Sequence, residues 1–200
     1  PLQFFATYLS YARYKATIKK FGKEISSKWI EISDFHREMK KFDIELLPPN
    51  INKRNLHFKI ENNGIRYALS EIKHVSTAVN KLIEVQEDIT SWQQFVLLAF
   101  SEHYGFKLRS NSADALVKSG AFSDIGWSRA DLVCLTAFLK ELSGKELETF
   151  VTWTKSRLGQ PTSATDITSF VSSPEFMDVV QKKRIEIVNG FASFLKFGVE

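Results

Sequence analysis

Residues able to do chemistry are sparse in this chain. Phosphoryl transfer with paired metals needs clustered carboxylates to hold the ions, and no Asp-x-Asp pair occurs anywhere in the sequence. No Gly-x-x-x-x-Gly-Lys-Ser/Thr loop is present to cradle phosphates. His36, His57, His74 and His103 are scattered, without the close spacing of a metal motif. Cys134 lies alone in the apolar stretch "DLVCLTAF", where a free cysteine reads as core. The segment thus offers no catalytic carboxylates and no cofactor or metal site of its own. One stretch remains, "IKHVSTAVNKLIEVQ", residues 72–86. It has the outline of a helix-hairpin-helix: a short helix ending in Lys73, a tight turn, and a second helix starting near Thr77. Main-chain N–H groups at such a helix start can meet a phosphate, helped by the helix dipole and by nearby lysines. An ordinary helical turn packed in a core fits the same residues.

The elements that would position this turn are legible from hydrophobic spacing. Leu2, Phe5, Leu9 and Ala12 recur at helical intervals, followed by the basic "KATIKK". From Glu24 onward, Ile25, Trp29, Ile32, Phe35, Met39 and Phe42 mark one apolar face of a helix of about five turns. Lys28, Glu31, Arg37, Glu38 and Lys41 occupy its other face. Next comes "LPPNIN", residues 47–52, whose two prolines cannot continue a helix and send the chain out extended. Asn50 and Asn52 suit turn chemistry. Leu56, Phe58 and Ile60 then alternate with polar residues, as do Ile65, Tyr67 and Leu69, with "ENNG" between them. That pattern predicts a β-hairpin, which must lie on helices because a lone hairpin is marginal in water.

Downstream, helices are predicted from Ser76 or Thr77 to about Glu87, over Gln93–Ser101, Ser112–Lys118 and Arg129–Leu142. Residues 156–174, rich in Ser, Thr, Gly and Pro, read as a linker. A last amphipathic helix is expected near Pro174, with a turn at Asn189-Gly190 further on.

The totals agree with a packed helical protein. Two hundred residues with 44% hydrophobic and 25% charged content are ordinary for a globular chain, and 17 Phe with four Trp supply core material. A single cysteine excludes an internal disulfide framework and fits a reducing, cytoplasmic setting. No apolar run approaches the roughly 18 residues of a membrane span, so no membrane partner is expected. The opening "PLQFFATYLSYARYK" lacks a basic leader and a cleavage site, and its start at Pro1 fits a piece of a longer chain. The net charge of +4 is uneven: residues 1–85 carry +6 and the remainder −2. A basic half suits a polyanion such as nucleic acid, or it is an ordinary solvated face.

"LPPNIN", Phe58, "IRYALSEIKHVSTAV" and "LVKSGAFSDIGWSRADL" occur in the order and spacing of one family. The chain resembles the later fingers region, with its helix-hairpin-helix segment, of the bacterial replicative DNA polymerase III α subunit. It is closer to the DnaE type than to the PolC type, which lacks the Pro-Pro elbow. "PLQFFATYLS" is similar to the family's Pro-x-Glu-Phe helix, with Gln3 in place of Glu. "ITSWQQFVLLAF" is similar to the segment joining the two hairpin units. Its Gln and Phe could mimic a sliding-clamp peptide, but its register matches that internal helix. The resemblance covers residues 1–132; beyond it, "QKKRIEIVNGFASF" is weakly similar to the stretch before the family's oligonucleotide-binding domain.

The resemblance implies a mainly α fold: fingers-type helices over 1–55 ending in the Pro-Pro elbow, a β-hairpin plus tandem helix-hairpin-helix-like units over 56–132, and a helical extension over 133–200. It implies a duplex-positioning part of a DNA-directed DNA polymerase, a nucleotidyltransferase of replication whose paired metal ions (Mg) are held by palm aspartates upstream. Implied partners are double-stranded primer-template DNA, the remaining polymerase domains, and a sliding clamp reached through regions outside this segment. Implied DNA-contacting residues are Lys73, His74, Ser76 and Thr77 in the first unit, and Gly120, Gly126 and Arg129 in the second. Besides Gln3, three positions depart from the pattern. The family's Ile-Lys-Gly-Val-Gly reads Ile72-Lys73-His74-Val75-Ser76 here, so both glycines that let backbone approach a phosphate are replaced. Side-chain donors on His74, Ser76 and Thr77 stand in their place, and Asn50 replaces an Asp. The competing expectation is a helical protein-interaction module without nucleic-acid binding.

Overall fold

Helix α1 (Leu2–Tyr11) buries Phe5, Ala6 and Leu9, the three-and-four spacing expected of an amphipathic helix. These side chains meet Phe35 and Met39 of α2 (Ile32–Lys40), and Ile44, Phe58, Ile65 and Ala68 close the same core. In this computed structural model the described residues are 1–11, 19–20, 23–24, 32–181 and 184–197. They fall into two compact units, Pro1–Ile83 and Glu84–Glu200.

In the first unit the long helix predicted from Glu24 is shorter. Glu24 belongs to β2 (Lys23–Glu24), which pairs antiparallel with β1 (Lys19–Lys20). Ile25 and Trp29 lie outside the described residues. At the other end Asp43 adopts a left-handed φ of +54°, and Ile44 N–H bonds Met39 O at 3.1 Å while Asp43 N–H bonds Lys40 O at 3.2 Å. These two bonds form a Schellman stop, with an Asp where glycine is usual. Helix α2 has therefore ended before "LPPNIN" begins.

The proline pair instead ends a strand. Strand β3 (Glu45–Leu47) runs parallel to β5 (Gly64–Arg66), and β5 pairs antiparallel with β4 (Lys59–Glu61) around the two-residue loop Asn62-Asn63. The predicted hairpin is present, but it is two strands of a three-stranded sheet in the order β3-β5-β4. A side chain at Gly64 would sit 2.9 Å from Glu45 O, so this glycine permits the parallel approach. Arg66 fixes the corner: its guanidinium forks onto Glu61 at 2.9 Å through two nitrogens and donates to Pro48 O at 2.8 Å. Hydrogen bonding from Arg66, then its charge, outweighs desolvation and holds the Glu61 carboxyl below its ordinary value. Asn50 performs the expected turn chemistry, its Oδ1 accepting from Asn52 N–H at 2.8 Å to open the 3₁₀ turn Ile51–Lys53.

The second unit is built around α4 (Trp92–Phe100), where every residue except Gln94 is buried. A helix apolar all round is a core helix. Trp92 lies against Trp127 and Trp153, with ring centroids at 5.7 and 6.0 Å, and Trp153 stacks on Phe170 at 4.3 Å. Gln93, though buried, donates through Nε2 to Gln160 O and Thr162 Oγ1 at 3.0 Å each. Its side chain and that of Phe95 are thus core material, unavailable to a clamp as the loose peptide mimicry would require.

Around α4 run α5 (Ser110–Ser119), α6 (Arg129–Glu141), α7 (Gly144–Ser156), α8 (Ala164–Val171), α9 (Pro174–Met177) and α10 (Ile185–Phe197). Residues 156–174 contain α8 and are anchored by Ile167, Phe170 and Val171, not by a free linker. Their Ser content is cap chemistry: Ser163 accepts from Asp166 N–H, and Ser173 from Phe176 N–H, with Pro174 at the first helical position. The turn predicted at Asn189-Gly190 is helical within α10. Burial of Val188, Phe191 and Ala192, with Phe191 stacked on Phe138 at 3.9 Å, exceeds the roughly 1 kcal/mol that a helical glycine costs.

Glu146 ties this unit together. One carboxylate oxygen accepts from Ser143 N–H and Oγ–H at 2.5 and 2.6 Å, and the other accepts from Gln181 N–H at 2.9 Å. Arg184 lies 3.5 Å away and also donates to Glu141 O. Burial raises this carboxyl's pKa, but the hydrogen bonds from Ser143 and Gln181 and the charge of Arg184 together outweigh it and hold the group below its ordinary value.

Candidate nucleic-acid interface

The first hairpin follows the 3₁₀ turn Leu69–Glu71, which occupies the place of the short helix predicted to end in Lys73. Tethers prevent a longer helix there: Leu69 N–H bonds Asn55 O at 3.0 Å, and Ser70 Oγ–H bonds Leu56 O at 2.6 Å. The chain then turns through residues 73–78 into α3 (Val79–Glu84), later and shorter than the predicted Thr77–Glu87. Val75 N–H bonds Ile72 O at 3.0 Å, and Ala78 N–H bonds Val75 O at 2.8 Å. Ile72, Val75, Val79 and Leu82 point inward, whereas Lys73, His74, Ser76 and Thr77 are all exposed. An apolar underside thus presents a polar rim.

His74 takes the glycine-like conformation. Its φ is +69°, in the left-handed region where non-glycine residues are rare and His, Asn and Asp are enriched. An L-residue therefore holds here a conformation that glycine adopts without penalty. Ser76 has no such φ, so its side chain brings no backbone strain. Among the described residues, the backbone N–H groups of Ser76 and Thr77 donate to no acceptor, as expected just before a helix.

The second hairpin is more regular. Gly120 (φ +83°) closes α5: its N–H bonds Val117 O, and Ala121 N–H bonds Leu116 O, both at 3.0 Å, in a Schellman motif. Ala121, Phe122 and Ile125 are buried, Phe122 packing on Phe95 at 4.8 Å. Gly126 (φ +72°) reverses the chain after the 3₁₀ turn Ser123–Ile125, and a side chain there would meet open space. Ser128 caps α6 by accepting from Asp131 N–H at 3.1 Å. Arg129, the first residue of α6, is exposed and lies across Gly120 beside a pocket of about 200 Å³ also lined by Ser123 and Trp127. Sequence reasoning passed over Ser123, Trp127 and Ser128; only the Ser-x-x-Asp spacing of Ser128 and Asp131 announced one of them.

The structure therefore brings Lys73, His74, Ser76 and Thr77 together on one turn, and Gly120 and Arg129 into contact on another. These two groups lie in different units. Cys134, read as core, is half-buried on α6, and burial, then the charge of Asp131, pushes its thiol above its ordinary value. Among the described residues no three His, Cys, Asp or Glu side chains cluster to hold a metal, and no helix is long and apolar enough to cross a membrane.

Comparison with known proteins places these hairpins. The helix-hairpin-helix motif family matches residues 43–132. DNA polymerase III subunit alpha of Campylobacter jejuni is 31% identical over 161 residues, 76% of this chain and 13% of that protein. The Aquifex aeolicus subunit is 36% identical over 104 residues, 50% of this chain and 9% of its own length. That of Halalkalibacterium halodurans is 32% identical over 98 residues, 48% of this chain and 8% of its own. The chain thus spans only about a tenth of the length of the curated relatives it matches. Residues 43–132 match the helix-hairpin-helix motif family, and the chain is related to a part of the bacterial DNA polymerase III alpha subunits.

Proposed function

We propose that this chain is a duplex-positioning part of a DnaE-like DNA polymerase III alpha subunit, gripping the sugar-phosphate backbone without reading sequence. The observation carrying this reading is the first hairpin: an exposed turn whose Ser76 and Thr77 N–H groups are unpaired among the described residues and lie close in sequence to the Lys73 ammonium. Backbone N–H groups and a lysine are what a phosphate accepts from, and such contacts fix register without reporting bases. His74, Ser76 and Thr77 supply side-chain donors, and Gly120, Gly126 and Arg129 form the corresponding set on the second hairpin.

The parent activity would be DNA-templated DNA synthesis in the cytoplasm, with fingers helices, the remaining polymerase domains and a clamp engaged elsewhere. By the resemblance, its divalent metal would be held by palm aspartates outside this chain. The test is a duplex titration over salt: affinity should fall steeply as counterions compete. An affinity unchanged from low to high salt would falsify the electrostatic reading. Lys73→Glu should weaken binding roughly tenfold on any sequence, by removing one charge-assisted contact and adding repulsion; unchanged affinity removes Lys73 from the interface.

One observation favours a second reading, a protein-interaction module. Phe4 and Phe42 are 61% and 54% exposed, with Ile60 also at the surface. Absence of duplex binding at low salt, with a protein partner captured by this face, would select it.

A further inference from the structure

On the second hairpin, Gly120 and Arg129 are nine positions apart yet interlocked. A Cβ built on Gly120 would lie 2.6 Å from Arg129 Nη2, 3.3 Å from Cζ and 3.6 Å from Nε. All three atoms belong to the guanidinium, so the group rests on the bare Cα of the α5 cap. No backbone atom competes for that space. A side chain at position 120 would therefore displace the arginine head, besides the strain that its left-handed φ of +83° imposes on any side chain. The Arg129 side chain is otherwise uncommitted: among the described residues no hydrogen bond or ion pair engages it. On α6 and α5, Asp131 accepts from Ser128 Oγ–H at 2.6 Å and Asp114 pairs with Lys118 at 2.8 Å. Asp124 accepts from Ser123 Oγ–H at 3.3 Å.

We infer that Gly120 is a positioning residue, whose missing side chain leaves the Arg129 guanidinium the place from which it grips one phosphate of a nucleic-acid backbone. This rests on the duplex-binding reading above and changes the role of Gly120 within it. The glycine acts through Arg129 and makes no approach to the phosphate itself. A planar guanidinium can bind two phosphate oxygens at once through a pair of its N–H groups.

A double-mutant cycle on the whole chain tests this, with a short mixed-sequence duplex titrated across a salt series. Arg129→Gln should weaken binding roughly tenfold and lower the slope of log affinity against log salt by about 0.9, one phosphate contact. Gly120→Ala should do the same, and the double variant should lose no more than either single one. Gly105→Ala supplies the control for backbone strain: Gly105 has nearly the same φ, +78°, with nothing within 4 Å of its Cβ position. Its slope should equal the wild type's, which a loss of folding alone does not change. Gly120→Asn is the second variant, since Asn tolerates left-handed backbone while still carrying a Cβ. A Gly120→Ala or Gly120→Asn slope equal to that of Gly105→Ala overturns the inference, as does a loss additive with Arg129→Gln. A wild-type chain that binds no duplex at low salt overturns the duplex-binding reading, and this inference with it.

Discussion

The two hairpins solve one geometric problem by different means. The second uses glycine at both left-handed positions, Gly120 and Gly126, and leads into a 13-residue helix capped by Ser128. The first places His74 at φ +69° and leads into a helix of only six residues. What differs is where the strain sits. The second hairpin has none at its glycines, whereas the first holds an L-residue in a conformation that costs it about 1 kcal/mol. Val75, with no exposed surface, pins that turn from beneath. A buried anchor and a short tethered lead-in thus accompany a turn shape that His74 does not favour.

The largest way to break the comparison is Phe122→Ala. Phe122 is buried against Phe95 beneath the second hairpin, so its loss should cost about 3–5 kcal/mol in a denaturant melt. A cost under about 1 kcal/mol would mean that the hairpin does not depend on that core. Next come the glycine exchanges, whose signs should oppose. Gly126→Ala should destabilise by about 1 kcal/mol, and His74→Gly should stabilise by about 0.5–1 kcal/mol, because the left-handed strain is imposed in one and relieved in the other. Equal signs in the two melts would contradict the assignment of strain to His74. Ser128→Ala should then cost about 1 kcal/mol by removing the cap that starts α6, whereas the residue before α3 is Ala78, whose methyl group can accept no hydrogen bond.

The last prediction concerns pH. Glu146 has a folded-state pKa lowered from its ordinary value, so its contribution to the second unit is full above that value and is lost as pH falls through the folded one. Glu61, lowered by Arg66, gives the first unit a weaker loss in the same acid range, because its carboxylate is more exposed. Unfolding followed against pH should therefore show acid destabilisation that Glu146→Gln flattens. An unchanged acid slope in that variant would show that the buried carboxylate is not the group responsible.

Much of this was legible locally. The spacing of Phe35 and Met39, the alternation around "ENNG" and the run "WQQFVLLAF" each describe a few residues and their immediate neighbours, and each forms the predicted element. So does the family resemblance, which lies in motifs in register. The errors also have local causes. "LPPNIN" advertises a stop, but Asp43 had already stopped α2, and an Asp in left-handed backbone carries no reliable signal. Residues 156–174 resemble a linker because the residues that cap helices are the residues that fill loops. Asn189-Gly190 reads as a turn until Phe191 is seen against Phe138.

By itself, the sequence determined the helical character, the hairpin, the exposed polar rim of the 72–77 turn and the kinship to a polymerase subunit. Tertiary structure alone decided that β3 joins the hairpin in parallel, that Gln93 is core through acceptors more than sixty residues away, and that Arg129 lies on Gly120. The reason is one of range and magnitude. Local preferences are worth about 1 kcal/mol per residue or less and speak only to near neighbours. Burial and long-range pairing are larger in sum, and nothing in a local window states which distant segment will supply them.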